Sequence, residues 1–83
     1  EARTILSIYR ERQAARVKRR WVLIRVIHSE LQTHGRPLHY TVLARIVADR
    51  HPELGVSEGG VLRLVASHPH VFERVVEGVY RSR

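Results

Sequence analysis

The chain is 83 residues long, 43% apolar and free of cysteine, with a formal net charge of +7 and a sequence pI near 11.3. That length makes one domain with a small but adequate core, the apolar share is too high for a disordered tail, and the lack of cysteine excludes a disulfide framework and a thiolate metal site. The longest apolar run, Trp21–Ile24, is too short to cross a bilayer.

A basic excess of this size points to a polyanionic partner, nucleic acid ahead of a membrane surface or an acidic protein. The charge is uneven. Residues 1–36 hold eight Arg and one Lys against Glu1, Glu11 and Glu30, a net +6, whereas residues 37–83 hold six Arg against five acids, a net +1. Lys18-Arg19-Arg20 followed by Trp21–Ile27 faintly resembles a signal sequence, but it sits too far into the chain and Arg25 interrupts it. The composition fits an intracellular setting, cytoplasmic or in the nucleoid or nucleus. The chain opens on Glu1 rather than Met, which fits a piece of a longer protein.

From Ala2 to His34 there is neither proline nor glycine, and Gly35 with Pro37 marks the stop of a long helix. Val17, Trp21, Ile24, His28 and Leu31 recur at spacings of four and three and predict its buried stripe. The run Trp21–Ile27 alone could be a buried strand; the helix formers on both sides favour helix. Unbroken, the helix is roughly 50 Å long, more than so small a domain can cover. Either it bends near Arg10–Gln13 and folds back, or its first half, with the apolar cluster Ile5, Leu6, Ile8 and Tyr9, packs on a second molecule.

Pro37-Leu38-His39 reads as a short extended segment. A second helix follows over about Tyr40 to Arg50, with Tyr40 or Thr41 near its start and Leu43, Ile46 and Val47 inward, and the His51-Pro52 step ends it. Pro52-Glu53-Leu54-Gly55 is a turn. Ser57 is the expected N-cap of a third helix running to about His68, with Val61, Leu62 and Val65 buried. Gly59-Gly60 either open that helix and admit a phosphate close to its backbone, or the helix begins at Val61, the preferred expectation. Val71–Val76, a turn at Glu77-Gly78 and Val79–Arg83 read as a hairpin. The fold class is therefore mainly α with a small β-hairpin: a basic helical extension over residues 1–16, then a winged helix-turn-helix domain over residues 17–83.

Arg36-Pro37-Leu38-His39-Tyr40, leading into a helix with Leu43, Ala44 and Ile46, resembles the opening of the HARE-type helix-turn-helix domains. Phe72-Glu73-Arg74-Val75-Val76-Glu77-Gly78-Val79-Tyr80 resembles their closing pattern, and Val61 and Leu62 fall at core positions of their third helix. The match covers roughly residues 17–82. The resemblance implies a winged-helix fold acting as a DNA-binding or DNA-associated adaptor, such as occurs in restriction-modification, transcription and chromatin proteins. Residues 1–16 lie outside it.

The candidate nucleic-acid-binding residues are Arg12, Arg16, Lys18, Arg19, Arg20, Arg45, Arg63, Arg74, Arg81 and Arg83. On a helix Arg12, Arg16, Arg19 and Arg20 fall within about one third of the circumference, a stripe suited to tracking phosphates without reading bases. On the third helix Glu58, Gly59, Arg63, Ser67 and His68 are the expected outward positions, and only Arg63 is a strong base or phosphate reader. A two-residue turn places Arg74 opposite Arg81, a like-charge pair that favours an anion between them; a three-residue turn removes the pairing. The six histidines lack ligand spacing, so neither metal nor cofactor is expected. Ser57 and Ser67 have ordinary capping and helix-surface roles, and no enzyme is expected. The leading reading is a duplex-DNA-binding domain of a larger or oligomeric protein, with a homodimer through the first helix as one arrangement and no membrane. The rival is a protein-interaction adaptor that docks on a partner subunit through that helix.

Overall fold

The computed structural model describes residues 2–83, with side chains described from Lys18 onward. Ala2–His34 form one unbroken helix, α1. Nothing in that stretch removes a backbone donor or frees the chain at one point. The fold-back at Arg10–Gln13 is therefore absent. The helix alone is about 50 Å long, and the molecule measures 52 × 25 × 19 Å. Gly35 ends it at φ +63°, with its N–H on the Leu31 carbonyl at 3.1 Å.

After α1 come β1 (Leu38–His39), α2 (Tyr40–Arg50), a 3-10 turn (Pro52–Leu54), α3 (Glu58–Ser67), β2 (Phe72–Val76) and β3 (Val79–Ser82). Tyr40 and Thr41 open α2 as expected, and its cap is His39, whose Nδ1 accepts the Thr41 N–H at 3.3 Å and lies 2.7 Å from the Thr41 hydroxyl. Ser57 caps α3 as expected, its Oγ accepting the Gly60 N–H at 3.1 Å. With that donor satisfied, the helix begins at Glu58 and both glycines sit in its first turn, not before it. The cap, typically worth about 1 kcal/mol, offsets part of what two helical glycines cost.

The three strands make one antiparallel sheet in the order β1-β3-β2, so the hairpin gains a third strand from the segment before α2. The turn is Glu77-Gly78, with Gly78 at φ +77° and Val76 opposite Val79. The register behind it departs from expectation. Val75 is an extra residue between Arg74 and Val76, and this bulge slides β2 by one. Glu73, not Arg74, therefore faces Arg81; Arg74 faces Tyr80, and Phe72 faces Ser82 instead of Arg83.

One core joins all the elements: Ile24, Ile27 and Leu31 of α1, Leu38 of β1, Leu43, Ala44 and Val47 of α2, Val61 and Val65 of α3, and Phe72 and Tyr80 of the hairpin. The buried face of α1 centres on Ile27 and includes Glu30, while Trp21 is 55% exposed. At 3.6 residues per turn Trp21 lies about 120° round the helix from Ile27, so it falls outside the face that the body covers. His28 is half-buried beside Phe72, and the side chains of Ile5, Leu6, Ile8, Tyr9 and Val17 lie outside the described residues. The architecture is mainly helical with a small three-stranded antiparallel sheet. Among the described residues no helix is long and apolar enough to cross a membrane.

Candidate functional site

Val61 and Val65 turn one side of α3 into the core, which leaves Glu58, Gly59, Arg63, Ala66 and Ser67 exposed on the other. Toward α1 this exposed side falls into a groove lined by Arg20, Gly60, Arg63, Leu64, Ser67 and His68. Two of its polar side chains are already committed. Ser67 Oγ donates to the Arg63 carbonyl at 2.6 Å, and His68 Nδ1–H donates to the Leu64 carbonyl at 2.8 Å, which leaves Nε2 open. Trp21 stands edge-on to His68, ring centroids 6.4 Å apart. Neither the Arg20 nor the Arg63 guanidinium makes a hydrogen bond or ion pair with another described residue, and no described carboxylate lines the groove. Two guanidiniums without a counter-charge in one groove repel each other and attract an anion.

On the opposite flank of α3, a second groove toward the hairpin carries Arg74 and Arg83 beside Glu73, Ala66 and Pro69. Arg74 is exposed, whereas Arg83 is tied down by its Nε–H, which donates to the Pro69 carbonyl at 2.6 Å. The exposed side of α3 is thus bordered by arginines on both flanks.

The other predicted residues divide. Lys18 is exposed on α1. Arg19 is spent internally, its Nη2 donating to the Leu54 carbonyl at 2.7 Å and holding the 3-10 turn to α1. Arg81 is occupied by Glu73, Nε to Oε2 at 2.6 Å, so the anion expected between Arg74 and Arg81 loses its basis. Arg45 is exposed on α2 but lines neither groove. Arg12 and Arg16 lie on the backbone of α1, and their side chains are outside the described residues.

Arg36 was not among the candidates, yet it lines a depression with Arg81, Gln32 and Pro37 where α1 stops beside β3. The pairing of Leu38 with Tyr80 brings it there, a long-range contact with no signal in the local pattern. Among the described residues no three His, Asp or Glu side chains are grouped as a metal site. No family model, no curated protein and no solved structure matches the chain.

Proposed function

We propose that this chain is a winged-helix domain that binds duplex DNA, mainly through the phosphate backbone, as part of a larger or oligomeric DNA-handling protein. In this reading α2 and α3 are the helix-turn-helix and the β2–β3 hairpin is the wing, in keeping with the HARE-type resemblance. The order of elements and a first strand that joins the hairpin support it. The observation that carries it is the Arg20–Arg63 groove: two guanidiniums, contributed by α1 and by the exposed side of α3, with no partner and no acid beside them among the described residues. That side of α3 otherwise offers Glu58, Gly59, Ala66 and a committed Ser67, of which only the Glu58 carboxylate can read a base edge, by accepting from a cytosine amine. Affinity then comes from phosphates and is weakly sequence-dependent. Titration of labelled duplexes of different sequence at two salt concentrations tests it: binding falls steeply with salt and differs little between sequences.

A second reading, an adaptor that docks through α1 on a second copy or a partner subunit, is favoured by Trp21 and Val22, 55% and 46% exposed on that helix. Sedimentation of the intact chain and of one lacking residues 1–13 tests it. A monomer at high concentration in both cases removes the second copy as the occupant.

A further inference from the structure

A second depression lies on the α1 flank of α3. It shares Gly60 and Leu64 with the Arg20–Arg63 groove, so the two form one trough. Its floor is apolar: Leu23 from α1, Val56 from the segment entering α3, and Val61 and Leu64 from α3 itself. Gly60 lies where the two parts meet, and a Cβ there would meet Ser57 Oγ at 3.1 Å. Arg19 stands at the rim, anchored by its bond to the Leu54 carbonyl. The volume is about 240 Å³, and a cavity of about 150 Å³ already takes a benzene ring. Among the described residues no carboxylate lines either part of the trough.

A phosphate backbone makes use of the arginines and leaves the apolar floor empty. We propose that the trough docks an acidic peptide segment of a protein partner. A bulky apolar side chain of the peptide sits on Leu23, Val61 and Leu64, and its flanking carboxylates meet Arg19 and Arg20. A desolvated apolar anchor within a polar rim is the usual economy of such sites. The charge selects the occupant: a second copy of this +7 chain would bring like charge to a basic rim. The site shares Arg20 with the DNA reading, so peptide and duplex compete for it, but it does not depend on that reading.

The test uses the full chain and three fluorescein-labelled probes. One is a peptide of about 16 residues made of Glu and Ala, with Phe and Leu four apart. The second is the same peptide with Ser at both anchor positions, and the third is a short duplex DNA. The anchored peptide is expected to bind at least about tenfold more tightly than its Ser counterpart. Leu23→Ala with Leu64→Ala is expected to weaken that peptide about tenfold and to change duplex binding less than about twofold. Val56→Asp lies in the loop before α3, where Val56 packs half-buried against the edge of the core, and puts a carboxylate in the trough. It is expected to weaken the anchored peptide with an unchanged circular dichroism spectrum, and it decides the matter if the double variant does not fold. Equal binding of the two peptides, or full peptide affinity in Val56→Asp, overturns the proposal. So does a loss of duplex affinity in the Leu23/Leu64 variant that matches the peptide's, since nucleic acid would then occupy the trough. A chain that binds the anchored peptide but no duplex supports the trough and removes the DNA reading alone.

Discussion

Glu73 Oε2 accepts from Arg81 Nε at 2.6 Å across neighbouring strands, in a register where Arg74 lies opposite Tyr80. The bulge at Val75 thus exchanges a like-charge pair for an ion pair and leaves Arg74 as the uncommitted cation of the hairpin. Replacement of Arg74 by Ala is therefore expected to weaken duplex binding more than replacement of Arg81. Glu73→Gln removes an acid from the groove and releases Arg81, so it is expected to tighten binding at low salt, while its stability cost stays near that of an exposed pair, about 0.2–1 kcal/mol. Anisotropy titration and urea unfolding check the two halves.

The Arg20–Arg63 groove makes a second prediction. Arg20→Ala with Arg63→Ala is expected to reduce the slope of log K against log salt by about 2, close to one phosphate per arginine, and to do so equally on unrelated duplexes. Arg19→Ala behaves differently, because Arg19 spends a donor on Leu54: its loss shows first in stability, by about 0.5–1.5 kcal/mol. A variant pair that lost affinity on only one sequence would place Arg63 on a base edge.

Local geometry sets a third expectation. Ser57→Ala leaves the Gly60 N–H without its cap and is expected to cost about 1 kcal/mol. For a domain of this size that lowers Tm by roughly 4–8 °C. Gly78→Ala suffers twice, from a φ of +77° and from a Cβ built 2.6 Å from His39 Nε2. His39→Ala relieves the contact but not the dihedral and itself removes the α2 cap, so the double variant loses less stability than the sum of the two single variants. Thermal unfolding of the four variants measures this.

Glu30 supplies a fourth. Its side chain is 7% exposed, one oxygen lies 3.5 Å from Arg50 Nη1, and Oε2 has no hydrogen-bond partner. An incompletely satisfied buried carboxylate is a liability, which an apolar residue of similar size removes. Arg50→Ala is expected to destabilise by about 1–3 kcal/mol, because the carboxylate then stays buried without its partner. Glu30→Leu is expected to be neutral or stabilising and to abolish the effect of Arg50→Ala. Denaturant midpoints for the two single variants and the double variant test this coupling.

Where the chain dictates structure locally, the sequence is readable. Tyr40–Arg50 ends at the His51-Pro52 step as expected, Ser57 caps α3, and Gly78 makes the two-residue turn. What escaped needs contacts far along the chain. Ile24 and Leu31 are buried as the spacing predicts, but Ile27 competes with Trp21 and His28 for the same stripe, and only the body packed against Ile27 decides between them. The bulge at Val75 leaves no mark in a β-branched pair that fits either register. Side-chain commitments were equally hidden: a run of basic residues does not reveal that Arg19 holds Leu54 while its neighbour Arg20 stays unpaired in the groove with Arg63.

The most direct test of the central claim is the affinity of the intact chain for a duplex of arbitrary sequence at 50 and 200 mM salt. With three to five phosphates engaged, the log–log slope is expected to lie between about −2.7 and −4.5, a loss of about 40- to 500-fold over that range. An affinity that does not change between the two concentrations, or no binding at the lower one, contradicts the assignment of this arginine-bordered surface to DNA.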